Sequence, residues 1–172
     1  MQENLAERLT EIMKKYHVAP AQINLEITET AAAHSDMLEN NIKILHKQGI
    51  EFSLDDYGSG YSNTDYLFRF PFRIVKIDKT ILWEAFKNEK AMIALRNTIR
   101  MIKELGLEIV VEGVENQEYV DYLTEQHCNY LQGYFYSKPI PDRDFLELLR
   151  RENAQYYAER FSKNELSDII TT

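Results

Sequence analysis

The 172-residue chain predicts an α/β fold in which parallel strands alternate with helices. Three observations carry this expectation. Five short apolar runs, Ile23 to Thr30, Ile50 to Asp56, Arg73 to Asp78, Leu107 to Glu115 and Asn129 to Tyr134, have the length of buried strands. The stretches between them repeat apolar residues at helical spacing. Nearly every run also closes on a carboxylate or another group able to meet a metal or a phosphate. Parallel strands joined by helices place their C-terminal ends at one edge of the sheet, where α/β proteins assemble their sites. Glu26, Glu29, Asp55, Asp56, Lys76, Asp78, Glu112, Glu115 and Gln132 should therefore gather at one mouth. Carboxylates this close repel one another unless a cation neutralises them, which makes a metal site the leading inference.

The elements follow in order. Leu5, Leu9, Ile12, Met13 and Tyr16 predict a helix over 3–17, and Pro20 blocks its continuation. A strand at 23–28 is followed by a helix over about 35–48, with Leu38, Ile42 and Leu45 inward, Ser35 as candidate N-cap and Gly49 as the stop. Strand 50–55 runs into Tyr57-Gly58-Ser59-Gly60-Tyr61, whose glycines permit unusual backbone angles. A short helix around 63–69 precedes strand 73–78. The longest helix should span about 88–105, capped by Asn88 and ended by Gly106, with Met92, Leu95, Ile99 and Ile102 as its stripe. Strand 107–112, helix 116–126 and strand 130–134 complete the alternation. Pro139 and Pro141 open a last helix carrying Phe145, Leu148 and Leu149, and helical spacing continues through Tyr157, Phe161, Leu166 and Ile170. The expected division is an α/β part, 1–152, and a helical extension, 153–172.

Composition narrows the function. A 44% hydrophobic content supports one sizeable core, and six glycines with four prolines are too few for a linker-rich protein. A net charge of -8 argues against a nucleic-acid polymer as partner, because phosphate binding needs a basic stripe. Cys128 is the lone cysteine and cannot form an internal disulfide, so a cytoplasmic location is expected. The apolar runs fall short of a membrane span, and Met1-Gln2-Glu3-Asn4 leads into an amphipathic helix rather than a signal pattern. The four histidines sit on or beside helices without metal-ligand spacing, so zinc is not expected. The eleven tyrosines read as core and helix-face packing.

Within the strand ends, adjacent acids should point in different directions, so Asp55 and Asp56 could hold two cations, or one of them could bridge both. The same alternation puts Asn24, Glu26 and Thr28 opposite Ile23, Leu25 and Ile27. A Glu inside an aliphatic strand is costly unless paired or coordinated, which favours Glu26 as a ligand. Glu29 could ligate metal, brace the glycine loop through backbone N–H groups, or simply begin a helix. Lys76 could orient water or offset phosphate charge, or form a structural ion pair with Asp55 or Asp78. Glu112 precedes Gly113, where the backbone can turn sharply, and Gln132 offers both a donor and an acceptor. Carboxylate and amide oxygens favour Mg²⁺ or Mn²⁺, and two such ions clamping a phosphodiester is the natural chemistry of this set.

At this point the motifs resemble one family, the EAL-domain phosphodiesterases that hydrolyse the bacterial messenger cyclic di-GMP. Leu25-Glu26-Ile27-Thr28-Glu29-Thr30, Asp55-Asp56-Tyr57-Gly58-Ser59-Gly60-Tyr61-Ser62, Lys76-Ile77-Asp78, Glu112-Gly113-Val114-Glu115, Gln132-Gly133-Tyr134 and Ser137-Lys138-Pro139 are similar to its motifs and stand in its order. The resemblance implies a barrel of the TIM type, with Glu26, Asp55 and Asp56 as metal ligands and Asp55 bridging. It implies that Lys76 contacts the attacking water or a phosphate, that Glu112 holds a metal-bound water near the base role, and that Gln132 reaches a metal-site water. It further implies that Glu29 anchors the loop carrying Gly58 and Gly60, and that Glu115 supports the same region. Tyr57 stands where the family has Phe and Asn63 where it has Ser.

The Glu-Ala-Leu segment that names the family, and a further Asn ligand, are not among these residues. An eight-stranded barrel takes about 200 residues or more, so five strands imply a partial barrel lacking its first strands. Open edges on such an array invite pairing with a second copy or with the missing barrel segment. The sequence therefore predicts a cyclic di-GMP phosphodiesterase domain that alone binds Mg²⁺ or Mn²⁺ weakly and turns over poorly. The alternative is a non-catalytic interaction module acting through oligomerisation.

Overall fold

Residues 5–33, 36–60 and 64–160 are described by the structure, a computed structural model. Ser35, Tyr61, Ser62, Asn63, Phe161, Leu166 and Ile170 lie outside these residues, as do the side chains of Leu38 and Tyr157. Five parallel strands form one sheet in chain order: β1 (Asn24–Thr28), β2 (Glu51–Tyr57), β3 (Phe72–Ile77), β4 (Glu108–Val111) and β5 (Tyr130–Leu131). The helices are α1 (Leu5–Tyr16), α2 (Glu29–Ala33), α3 (Asp36–Lys47), α4 (Tyr66–Arg69), α5 (Lys79–Ala85), α6 (Glu89–Glu104), α7 (Gln117–Glu125) and α8 (Asp142–Arg160). The sheet is open: among the described residues β1 and β5 each have a neighbour on one side only. The architecture is the partial α/β barrel expected from the alternation.

Local chemistry sets the element boundaries. Asn88 Oδ1 accepts the Lys90 N–H at 2.9 Å and starts α6, while Gly106 ends the turn after it at a φ of 75°. Asn116 caps α7 by accepting the Tyr119 N–H at 2.9 Å. Sequence spacing overestimates β5, which stops at Leu131 rather than running to 134. The reason is Gly133, where any Cβ would collide with the Val114 backbone, so the chain folds onto that residue instead of extending.

The core lies between the sheet and its helices. Leu54, Val75, Ile77, Ile109 and Val111 from the strands meet Ile42 and Leu45 of α3, Leu82 of α5, Leu95, Ile99 and Ile102 of α6, and Leu123 of α7, all at most 1% exposed. Each such side chain stabilises the fold by roughly 1.5–3 kcal/mol through apolar burial. The chain divides into two units, residues 1–136, which hold the whole sheet, and residues 137–172. In the second unit α8 passes through residues 152 and 153 as one helix, and its first turn closes with the Phe145 N–H on Pro141 O at 2.9 Å. No described helix is long and apolar enough to cross a membrane.

Candidate metal centre

The C-terminal end of β3 is the centre of the mouth. Strand β2 pairs with β3 as Leu54 against Val75 and Tyr57 against Ile77, so Asp55 and Asp56 together stand opposite Lys76 alone. This is a bulge, and Asp56 absorbs it with a left-handed φ of 58°. Plain alternation would send the two acids to opposite faces; the bulge turns both toward the mouth. Ligand-competent oxygens of Asp55, Asp56 and Glu112 all lie within 4.8 Å of one another. Glu112 reaches this point because its N–H donates to Ile77 O at 3.0 Å, which extends the ladder past β4. Gln132 is held beside it by its own N–H on Val111 O at 2.9 Å, and its Nε2 donates to Glu112 Oε1 at 3.3 Å.

Lys76 Nζ sits among the acids, 2.8 Å from Asp55 Oδ1 and 3.0 Å from both Glu26 Oε1 and Glu112 Oε1. Burial alone would pull its pKa down, but hydrogen bonds to Asp55, Glu26 and Glu112 outweigh that and raise it. The Asp56 carboxyl is also raised, first by burial and then by the charges of Asp55 and Asp78. Asp55 Oδ1 is buried and takes the Lys76 ammonium at 2.8 Å. Three clustered carboxylates, Asp55, Asp56 and Glu112, beside a single ammonium leave negative charge in excess and fit a hard divalent cation such as Mg²⁺ or Mn²⁺. The donor set is oxygen alone, without histidine or cysteine.

Other expected residues are placed differently. Glu26 lies on edge strand β1 with 51% of its side chain exposed, so the burial-cost argument for it does not apply. It reaches the cluster through Lys76. Asp78 caps α5 by accepting the Thr80 N–H at 2.9 Å and the Thr80 hydroxyl. Glu29 begins α2, is buried, and accepts the Gly58 N–H at 2.9 Å and the Tyr66 hydroxyl. Gly58 needs its glycine, with a φ of 87° and Ile81 packed where a Cβ would stand. Gly60 does not: its φ lies outside the left-handed region, and among the described residues nothing lies within 4 Å of the place a Cβ would take. Among the described residues Glu115 makes no hydrogen bond to residues 58–60; it lines a recess of about 210 Å³ with Lys79, Trp83, Glu112, Gly113, Gln132 and Tyr134. Two residues at the site escaped the sequence reading. Tyr66 donates to Glu29, and Trp83 Nε1 donates to Gly113 O at 2.8 Å. The i, i+4 spacing of Lys79 and Trp83 next to Asp78 was the available signal for the second.

Comparison with known proteins settles the family. Residues 1–139 match the EAL domain model. The chain belongs to the EAL family. Its curated relatives include the cyclic di-GMP phosphodiesterase RocR of Pseudomonas aeruginosa, 34% identical over 145 residues that make up 83% of this chain and 37% of RocR. The EAL domain of Mycobacterium smegmatis DcpA superposes with a TM-score of 0.79 at 29% identity, over 88% of this EAL chain and 68% of that one. BlrP1 of Klebsiella pneumoniae, in its manganese and cyclic di-GMP complex, superposes at 0.71 with 27% identity, over 77% of this chain and 34% of BlrP1. The EAL chain thus spans little more than a third of RocR's length.

Proposed function

We propose that this EAL chain supplies the ligand-bearing half of a divalent-cation site that hydrolyses cyclic di-GMP to the linear dinucleotide. The observation that carries this is the convergence of Asp55, Asp56 and Glu112 oxygens within 4.8 Å of one another beside a single ammonium. Support comes from RocR, itself a cyclic di-GMP phosphodiesterase, and from BlrP1, solved with manganese and cyclic di-GMP. Asp55 and Asp56 would hold the cation, and Glu26, paired here with Lys76, would be a further ligand. Bound Mg²⁺ or Mn²⁺ lowers the pKa of a coordinated water and offsets phosphate charge.

The remaining roles belong to the chain. Glu112, held by the Gln132 amide, accepts a proton from the attacking water. Lys76 keeps its proton and presents a fixed positive charge to the phosphate oxygens. Water adds to one phosphorus, one P–O ester bond breaks, its ribose oxygen leaves as a hydroxyl after taking a proton from solvent, and the ring opens. Glu29 fixes the loop after Asp56 through the Gly58 N–H, which holds the two aspartates in place.

Turnover by this chain alone should be slow, because Glu26 is half exposed on an edge strand and is paired to Lys76 rather than to the other ligands. Mn²⁺ binding followed by electron paramagnetic resonance, with linear product measured by chromatography, tests the reading. The expected result is weak binding and slow hydrolysis in the wild type, and neither in Asp55→Asn. Equal Mn²⁺ binding by Asp55→Asn overturns it, and robust product from the chain alone overturns the expectation of slow turnover. A second reading, an interaction module, is favoured by the open edges at β1 and β5. Light scattering decides it, since a clean monomer in solution removes its basis.

A further inference from the structure

Helix α5 touches both loops that carry the carboxylates. Its first residue, Lys79, and its fifth, Trp83, face Gly113, which directly follows Glu112. Any Cβ at Gly113 would collide with Lys79 Cβ and lie 3.0 Å from Trp83 Nε1. On its other flank Ile81 packs against Gly58, two residues after Asp56, where a Cβ would collide with the Ile81 side chain. Leu82 and Ala85 are buried beneath the helix in the core. At Gly113 the loop backbone packs against Lys79 Cα and Cβ, and at Gly58 against the Ile81 side chain, with φ values of 72° and 87°. Close packing of this kind transmits position, because a well-packed interior deforms little.

Polar contacts tie the same helix to the sheet. The Asp78 N–H donates to Tyr57 O at 3.2 Å, and Asp78 caps α5 through Thr80. The Trp83 indole N–H donates to Gly113 O at 2.8 Å, which fixes the peptide just beyond Glu112. The Lys79 ammonium lies 5.5 Å from the Trp83 ring centre and covers the indole face.

We propose that α5 is a spacer wedged between the Asp55–Asp56 bulge and the Glu112 turn, and that Trp83 is the positioning residue for Glu112. This rests on the metal-site reading above. Neither Trp83 nor Ile81 ligates anything. They set the separation at which the Asp55, Asp56 and Glu112 oxygens face one another. Trp83→Phe keeps an aromatic ring but removes the N–H, so Gly113 O loses its donor and the Glu112 turn can shift.

Two readouts test this, one with metal and one without. Mn²⁺ affinity should fall about 10-fold in Trp83→Phe, within the range seen when a group supporting a metal ligand is removed. It should stay at the wild-type value in Ile99→Val, a core control on α6 chosen to lower thermal stability without touching either loop. In the metal-free proteins, the carboxyl ¹³C resonance of Glu112 should move in Trp83→Phe and not in Ile99→Val. A Trp83→Phe protein with unchanged Mn²⁺ affinity and an unmoved Glu112 resonance overturns the proposal, as does an equal affinity loss in the core control. Should the wild type bind no Mn²⁺, the metal-site reading falls, and the Glu112 resonance alone then decides the positioning role.

Discussion

Strand β3 carries a cation near each end, and the two sites differ in burial and in charge balance. Near its start Arg73 Nη1 donates to both Glu51 oxygens at 2.6 and 2.7 Å, and Arg73 Nη2 donates to Glu108 at 3.3 Å, with half of the arginine side chain exposed. Near its end Lys76 pairs with Glu26, Asp55 and Glu112 while only 10% of its side chain is exposed, and Asp56 stands beside them. The first arrangement carries one negative charge in excess but is wet enough for water to screen it, and exposed pairs of that kind contribute about 0–1 kcal/mol. The second sets one ammonium against four carboxylates where water screens little. Pairing at the first end is self-sufficient; pairing at the second leaves the larger negative excess, and a divalent cation can relieve it. The contrast separates a structural ion pair from a functional one within a single strand.

The largest expected effect breaks the second site. Lys76→Met leaves Asp55 and Glu112 facing each other without their shared cation, a loss of about 3 kcal/mol on the scale of broken buried pairs. Urea denaturation at neutral pH measures it, and added Mn²⁺ should restore more stability to this variant than it adds to wild type. A loss no greater than that of Arg73→Met would erase the contrast. The backbone at the same end should be nearly as intolerant. Gly133→Ala, whose Cβ would strike the Val114 backbone, should cost about 1–3 kcal/mol. Gly60→Ala, with nothing among the described residues within 4 Å, should stay within about 0.5 kcal/mol.

Titration sharpens the comparison next. Because the folded state raises the Lys76 pKa, its stabilisation is fully present below the unfolded lysine value of about 10.4 and is lost as pH rises beyond it. The stability gap between wild type and Lys76→Met should therefore narrow above that pH in denaturation series. Asp56 shows the same sense at lower pH, because there it is the charged form that burial and the neighbouring acids penalise. Its carboxyl is raised on folding, so stability declines as pH climbs through the carboxylate range, and Asp56→Asn should flatten that decline in metal-free protein. Among the charge substitutions the smallest effect is Arg73→Met, within about 1 kcal/mol. High salt should abolish it, since screening at about 1 M shortens electrostatic reach to roughly 3 Å.

Much of the fold was legible because the apolar runs and their spacing are local signals. The strand starts, the α6 stripe and the Asn88 cap all follow from such patterns. What stayed hidden depends on pairing between distant segments. The bulge at Asp55–Asp56 exists only against Lys76, so alternation alone misdirected one of the two acids. The early end of β5 depends on how near Gly133 comes to Val114. Helix α2 begins at Glu29, where strand propensity in the preceding residues masked it. Glu26 was expected to be enclosed, yet it lies at an open edge, because burial is a property of the neighbouring strand and not of the residue. At the site, the carboxylates were readable from strand ends, while Trp83 and Tyr66 were not: helical spacing puts Trp83 beside Lys79 but does not say which loop either residue will meet.

Trp83 has one more consequence. It is the chain's sole tryptophan, and its indole is bonded to the residue next to Glu112. Ultraviolet emission from the unlabelled protein therefore originates beside the carboxylate cluster, with tyrosines as the remaining background. A paramagnetic ion entering there should dim that light and a diamagnetic one should not, so the molecule carries its own optical gauge of occupancy.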